Sequence, residues 1–330
     1  DERGQVQQPS LRDSDGRVGG RHALANEHGT SDLQRRVHVA TQTGLLNLSA
    51  FITLGNAQLT AAAGITNAGR IEMTGSNTSN DAILVLENQP LVNELGGRFE
   101  LQPGGNTGNH KRLQGDIINH GTMIVQRSSS LDRVGSTLTN TGTLTVQDGP
   151  FVLSGAGTRL INSGTITVAA GERLETPSLL QITGTTDIQG ILESDTPLRI
   201  DGGIVMGTGT IDAAVHNNAG TLLPGDTIGT LRITGDYAQN ANASLTIDIT
   251  GLDSGTQHDV LRIDGTANLS GFLNLLRPPT YSPESGDRYE ILTAANIGGS
   301  FDTITGTDLE NGQRWMLLVS VNGVNVNTMV

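Results

Sequence analysis

Four acidic side chains recur at one offset behind a glycine: Glu72 and Glu100 after Gly69 and Gly97, and Glu193 and Asp212 after Gly190 and Gly209. If the segments carrying them stack at the roughly 4.8 Å spacing of neighbouring strands, each pair approaches the separation at which a retaining glycosidase sets its nucleophile and acid. Arg70 and Arg98 precede the first pair by two residues, on the same face. A wall of alternating Arg and Glu columns accounts for these carboxylates without any reaction, so no catalytic residue is assigned.

Other chemistries are poorly provided for. The 330 residues contain no cysteine, which excludes thiol nucleophiles, thiolate-held zinc and iron–sulfur clusters. The histidines at 22, 28, 38, 110, 120, 216 and 258 lack metal-ligand spacing, so no metal residue is assigned. Acidic loops around Asp253 and over Glu284–Asp287 offer oxygen ligands to a loosely bound calcium ion, and no other cofactor is called for. With 20 basic against 33 acidic residues, a net charge of −13 argues against nucleic acid as a partner. No stretch approaches the roughly 20 apolar residues that span a bilayer, so no membrane insertion is expected.

The elements that position these residues are short strands. Glycine-led segments repeat along the chain: Gly44-Leu-Leu-Asn-Leu, Gly69-Arg-Ile-Glu-Met, Gly97-Arg-Phe-Glu-Leu, Gly121-Thr-Met-Ile-Val, Gly142-Thr-Leu-Thr-Val, Gly164-Thr-Ile-Thr-Val, Gly190-Ile-Leu-Glu-Ser, Gly209-Thr-Ile-Asp-Ala and Gly229-Thr-Leu-Arg-Ile. Their glycines are separated by 25, 28, 24, 21, 22, 26, 19 and 20 residues, a period that signals stacked solenoid coils. Within each segment the second and usually the fourth residue after glycine are apolar, the alternation of a strand with one face inward. Glu72, Glu100, Ile124, Thr145, Thr167, Glu193, Asp212 and Arg232 are expected to form one outward column. The sequence thus predicts an all-β solenoid of about 20–25-residue coils over residues 37–220, with a C-terminal end and β cap over 221–330. Residues 1–36 hold six arginines and six acids among few apolar positions, too little to fold alone, and read as an N-terminal arm or cap.

Asparagine precedes four of the glycines by two residues, at Asn67, Asn119, Asn140 and Asn162. Such corners suit Asn and Gly, the glycine for its access to positive φ, and stacked Asn side chains can bond from coil to coil as a structural ladder. The longest irregular loop among the coils runs from Gln102 to Arg112. Its Asn106, Asn109, His110, Lys111 and Arg112 form a candidate recognition loop, and Lys111 is the single lysine of the chain.

From about Asn217 the motifs change, with Leu223-Pro-Gly-Asp, Gly235-Asp-Tyr-Ala-Gln239, Asp259-Val-Leu-Arg-Ile263 and Gly286-Asp-Arg-Tyr-Glu-Ile-Leu292 in order. This order resembles the C-terminal part of autotransporter passengers and related filamentous-haemagglutinin-like bacterial surface proteins. The resemblance covers roughly 100 residues, and Ile228-Gly229 departs from the second Pro-Gly that is usual there. It implies a right-handed parallel β-helix at the outside of a bacterial cell, and no particular ligand. No barrel of outer-membrane strands follows before Val330, so the expectation is a separated passenger or a relative exported by another route.

Taken together, these readings predict an extracellular structural or adhesive surface protein rather than an enzyme. Its partners would be further copies of itself, in a filament assembled through the arm and the solenoid edges, or a glycan or protein on a host or neighbouring cell. A polysaccharide hydrolase or lyase on the same scaffold is the alternative, and an ice- or mineral-binding face is a weaker one. Neither gains a catalytic or binding constellation from the sequence.

Overall fold

A computed structural model describes residues 36–39, 46–48, 51–54, 58–74, 81–103, 110–309 and 312–329, the first three runs by their backbone alone. The chain is a parallel β-helix. Three sheets of 14, 12 and 12 strands run side by side, and every third strand in chain order joins the same sheet until the last two strands, which both join the first. The first sheet starts at Arg36–Val39, the second at Leu46–Leu48 and the third at Phe51–Leu54. The sheets pass through the Pro-Gly turn without a break, since Gly207 pairs with Pro224 in the third sheet.

Alternation in the sequence becomes inward stacking. In the third sheet Ile71, Phe99, Met123, Leu144 and Ile166 are register partners in turn, and all are at most 1% exposed. Each such side chain contributes about 1.5–3 kcal/mol by leaving water, and only the neighbouring coils provide the burial. Coil length is not uniform: partners Ile204 and Thr221 stand 17 positions apart, whereas Phe272 and Thr303 stand 31 apart. Extra residues leave at the corners, so the ladders stay in register.

Two expectations need correction. The outward column splits between sheets, because the segments led by Gly190, Gly209 and Gly229 lie in the first sheet and those led by Gly69 to Gly164 in the third. Thr167 is followed by Asp187, while Glu193 stands between Glu175 and Asp212. Arg232 opposes Thr210 instead of continuing from Asp212. The corner glycines also act differently from the expected positive φ. Gly121, Gly142 and Gly164 do not adopt it, but a Cβ there would sit 2.3, 2.1 and 2.2 Å from a carbonyl oxygen of the preceding coil. Close stacking of backbones, rather than a left-handed turn, demands glycine at these corners.

At the C-terminal end the first sheet outruns the other two by a hairpin. Arg288–Thr293, Gly323–Met329 and Arg314–Val319 pair antiparallel. Tyr289, wholly buried, meets Trp315 edge-on with ring centroids 5.9 Å apart, and Tyr281 Oη lies 2.7 Å from Tyr289 Oη. These rings close the open end of the core and leave Trp315 no face for a sugar.

Candidate functional site

The corner after the second sheet carries a continuous side-chain ladder. Asn67, Asn119, Asn140 and Asn162 lie in one column, with Asn93 between the first two and Gln181 after the last. All six are at most 1% exposed. Each asparagine Nδ2 donates to the next amide oxygen at 2.7–2.8 Å, ending on Gln181 Oε1. The same nitrogens also donate to backbone carbonyls of the following coil, for example Asn119 Nδ2 to Thr143 O at 2.9 Å. Leu48 precedes the ladder in backbone register and the buried Ile200 follows it, so an apolar side chain closes the latter end. Asn93 and Gln181 escaped sequence reading because Asn93 is followed by an inserted Glu-Leu and Gln181 is a different amide. The usable signal was an amide two to four residues before each corner glycine.

On the outer face of the third sheet, Glu100 is the centre of a charged cluster. Its carboxylate accepts from Arg70 Nη2 at 2.6 Å, Arg98 Nε at 2.8 Å and Gln102 Nε2 at 2.5 Å. Burial pushes its carboxyl upward, but these hydrogen bonds outweigh that and hold it below the usual carboxylate range. Arg70 also bridges to Glu72 at 2.5 Å. An acid held this way is a poor proton donor at neutral pH, and the pair Glu72–Glu100 behaves as wall. Glu100→Gln is expected to lower stability by roughly 1–2 kcal/mol at pH 7, with two half-exposed guanidinium groups losing a charged acceptor. A folded-state pKa below the unfolded one gives stability at neutral pH that is lost as pH falls through the folded value. The variant and the parent should therefore converge in acid, as followed by urea unfolding across pH.

The second carboxylate pair lies on the first sheet. Glu193 and Asp212 are direct register partners, but each has an occupation: Glu193 is held by Arg173, which also reaches Glu175 at 3.6 Å, and Asp212 accepts from Thr234 Oγ1 at 2.7 Å. They stand on a sheet wall rather than across a groove.

Of the candidate recognition loop, Asn106 and Asn109 lie outside the described residues. His110 closes the loop, with Nδ1 3.0 Å from Ser128 Oγ, and burial pushes its pKa down. Lys111 and Arg112 already belong to the strand Lys111–Gln114. Arg112 faces out and is fixed by Asp132 through Nε at 2.8 Å and Nη2 at 2.7 Å. Lys111 faces in: it is wholly buried between Ala82 and Ser129, and its Nζ has no hydrogen-bond partner among the described residues. It therefore presents no surface to a partner. Burial and the charge of Arg127 bring its pKa down to about 8, with Asp81 acting in the opposite sense.

Among the described residues no group of three or more His, Asp or Glu side chains is placed to hold a metal ion. In the acidic loops suggested for calcium, Asp287 Oδ2 already accepts from Glu284 N at 2.8 Å and Tyr289 Oη at 3.2 Å. No helix among the described residues is long and apolar enough to cross a membrane. Neither the family models nor the curated proteins compared with this chain give a match.

Proposed function

We propose that this chain is an extracellular structural or adhesive surface protein of a bacterium, a rigid rod whose work is done by its length and its repetitive outer walls. The observation that carries this reading is the use already made of every paired carboxylate. Glu72, Glu100 and Glu193 are bound by arginines and Asp212 by a threonine hydroxyl, on walls rather than in a cleft. A dry column of buried aliphatic residues and a buried amide ladder also suit a mechanical element. Self-association through the N-terminal arm and the solenoid edges, or contact with a surface glycan or protein, would supply the adhesion.

Electron microscopy of purified protein over a range of concentrations, with and without residues 1–36, tests the proposal. Regular fibres that vanish on deletion, while the far-UV β signature persists, would identify a polymer subunit. Discrete rods in both samples would leave a monomeric adhesin and remove the filament. Reducing-end release from a panel of acidic and neutral polysaccharides, lost in a Glu193→Gln, Asp212→Asn double variant, would overturn the non-enzymatic reading.

A further inference from the structure

The outer face of the second sheet is not charged like those of its neighbours. Its strands are short, and the residue that precedes the inward final position points outward, as does the first residue of the four-residue strands, Thr137 and Arg159 among them. Stacked in register, the former are Val92, Ile118, Thr139, Ile161 and Leu180, each partly exposed, followed by Arg199. Where the apolar stripe meets the arginine, the wall is indented. A cleft of about 270 Å³ is floored by Ile161 and Leu180 and rimmed by Ser178, Thr196, Arg159 and Arg199.

The two arginines differ in state. Arg199 is held by Asp201 through Nε at 2.8 Å and Nη2 at 2.7 Å, so its charge is answered. Arg159 is exposed, and its Nε donates only to the hydroxyl Thr137 Oγ1, at 3.2 Å; no carboxylate pairs with it among the described residues. A guanidinium answered by no acid, at the rim of an apolar floor, is locally complementary to an anion that also carries an apolar group.

We propose that this cleft binds an N-acylated acidic sugar. Its carboxylate would engage the Arg159 fork, its acyl methyl would lie on Ile161 and Leu180, and its hydroxyls would meet Ser178 and Thr196. Such a ligand is preferred over an acidic peptide for two reasons. The strands Arg159–Asn162 and Leu179–Gln181 are interior to the sheet with their backbone groups in the parallel ladder, so no edge remains for strand addition. The cleft is also confined to three successive coils, from Arg159 to Arg199, a patch rather than a groove along which an extended chain could lie. The proposal rests on the adhesive reading and names its ligand class.

Saturation-transfer NMR and titration calorimetry on the full chain would use 3′-sialyllactose as probe, with lactose and an acidic hexapeptide as controls. Expected is transfer to the acetamido methyl, no binding of lactose, and at least about a tenfold loss of affinity in Arg159→Gln. Leu180→Ser should weaken binding as well, whereas Arg98→Gln on the third sheet should not. Absence of transfer from millimolar probe, undiminished binding in Arg159→Gln, or preference for the peptide would each overturn the assignment. Fibres or rods seen by microscopy together with no sugar binding would remove this site and leave the scaffold reading standing.

Discussion

Asn119→Leu is expected to lower the stability of the rod by roughly 3–5 kcal/mol, although it exchanges a buried side chain for one of similar size. The substitution removes an acceptor from Asn93 Nδ2, the donor of Asn140 Oδ1, and a donor of Thr143 O, all within the corner column. Asn140 Oδ1 then has no other donor among the described residues, and a buried orphan of this kind costs about 1–3 kcal/mol. Asn93 Nδ2 is partly compensated, because it also reaches Gly97 O at 3.2 Å and Thr122 O at 3.1 Å. Position along the ladder should matter. Asn67→Leu takes a donor from Asn93 Oδ1 and from Arg98 O and an acceptor from the part-buried Gly69 N, but it leaves no buried amide nitrogen of a preceding rung without its oxygen among the described residues, so a smaller loss of about 2–3 kcal/mol is expected there. Asn119→Asp keeps the shape but buries a carboxylate that cannot donate to Asn140, and its loss should shrink in acid as the carboxyl regains a proton. Urea unfolding followed by far-UV circular dichroism would check the series. Equal losses at Asn67 and Asn119 would mean that the amides act singly rather than as a chain.

The period, the inward alternation and the corner amides were legible because each is a local pattern that stacking repeats. Sheet membership was not. A glycine-led strand such as Gly190-Ile-Leu-Glu-Ser looks like Gly164-Thr-Ile-Thr-Val in isolation, and only the lengths of intervening corners put the first on a different wall. The pairing of Glu193 with Asp212 survived this error because both shifted together to the first sheet. The role of glycine was misread for a related reason: positive φ is a property of one residue, whereas the 2.1 Å approach of a Gly142 Cβ to Gly121 O exists only between coils. The cleft beside Arg159 belongs to the same class. Ile161 and Leu180 are 19 positions apart, and their juxtaposition depends on register alone. Lys111 was placed in a loop because charge is ordinarily a surface signal, and nothing local marks the rare lysine that points inward.

That lysine sets the second large expectation: Lys111→Met should stabilise the protein at pH 7 by on the order of 2–3 kcal/mol. The amine sits in the solenoid interior with no hydrogen-bond partner among the described residues, and its pKa is brought down to about 8. Its unfolded value is near 10.4, so below pH 8 both states carry the proton and the folded state bears the full cost of a buried charge. Between pH 8 and about 10.4 the unfolded chain binds more protons than the folded one, and stability rises with pH. The parent should therefore gain stability over that window while Lys111→Met stays level, and the two should approach each other at the alkaline end. Groups facing the amine are Arg127, Asp81 and the neighbouring His110; only Asp81 opposes the shift, and it does not bond to Nζ. Lys111→Arg is expected to destabilise, because a guanidinium stays charged where the amine can become neutral. Since the chain has one lysine, ¹³Cε-lysine labelling gives a single side-chain resonance whose titration reads the pKa directly. A midpoint near 10.4, together with no gain from the methionine, would mean that the ammonium is solvated and that the wall opens at this coil.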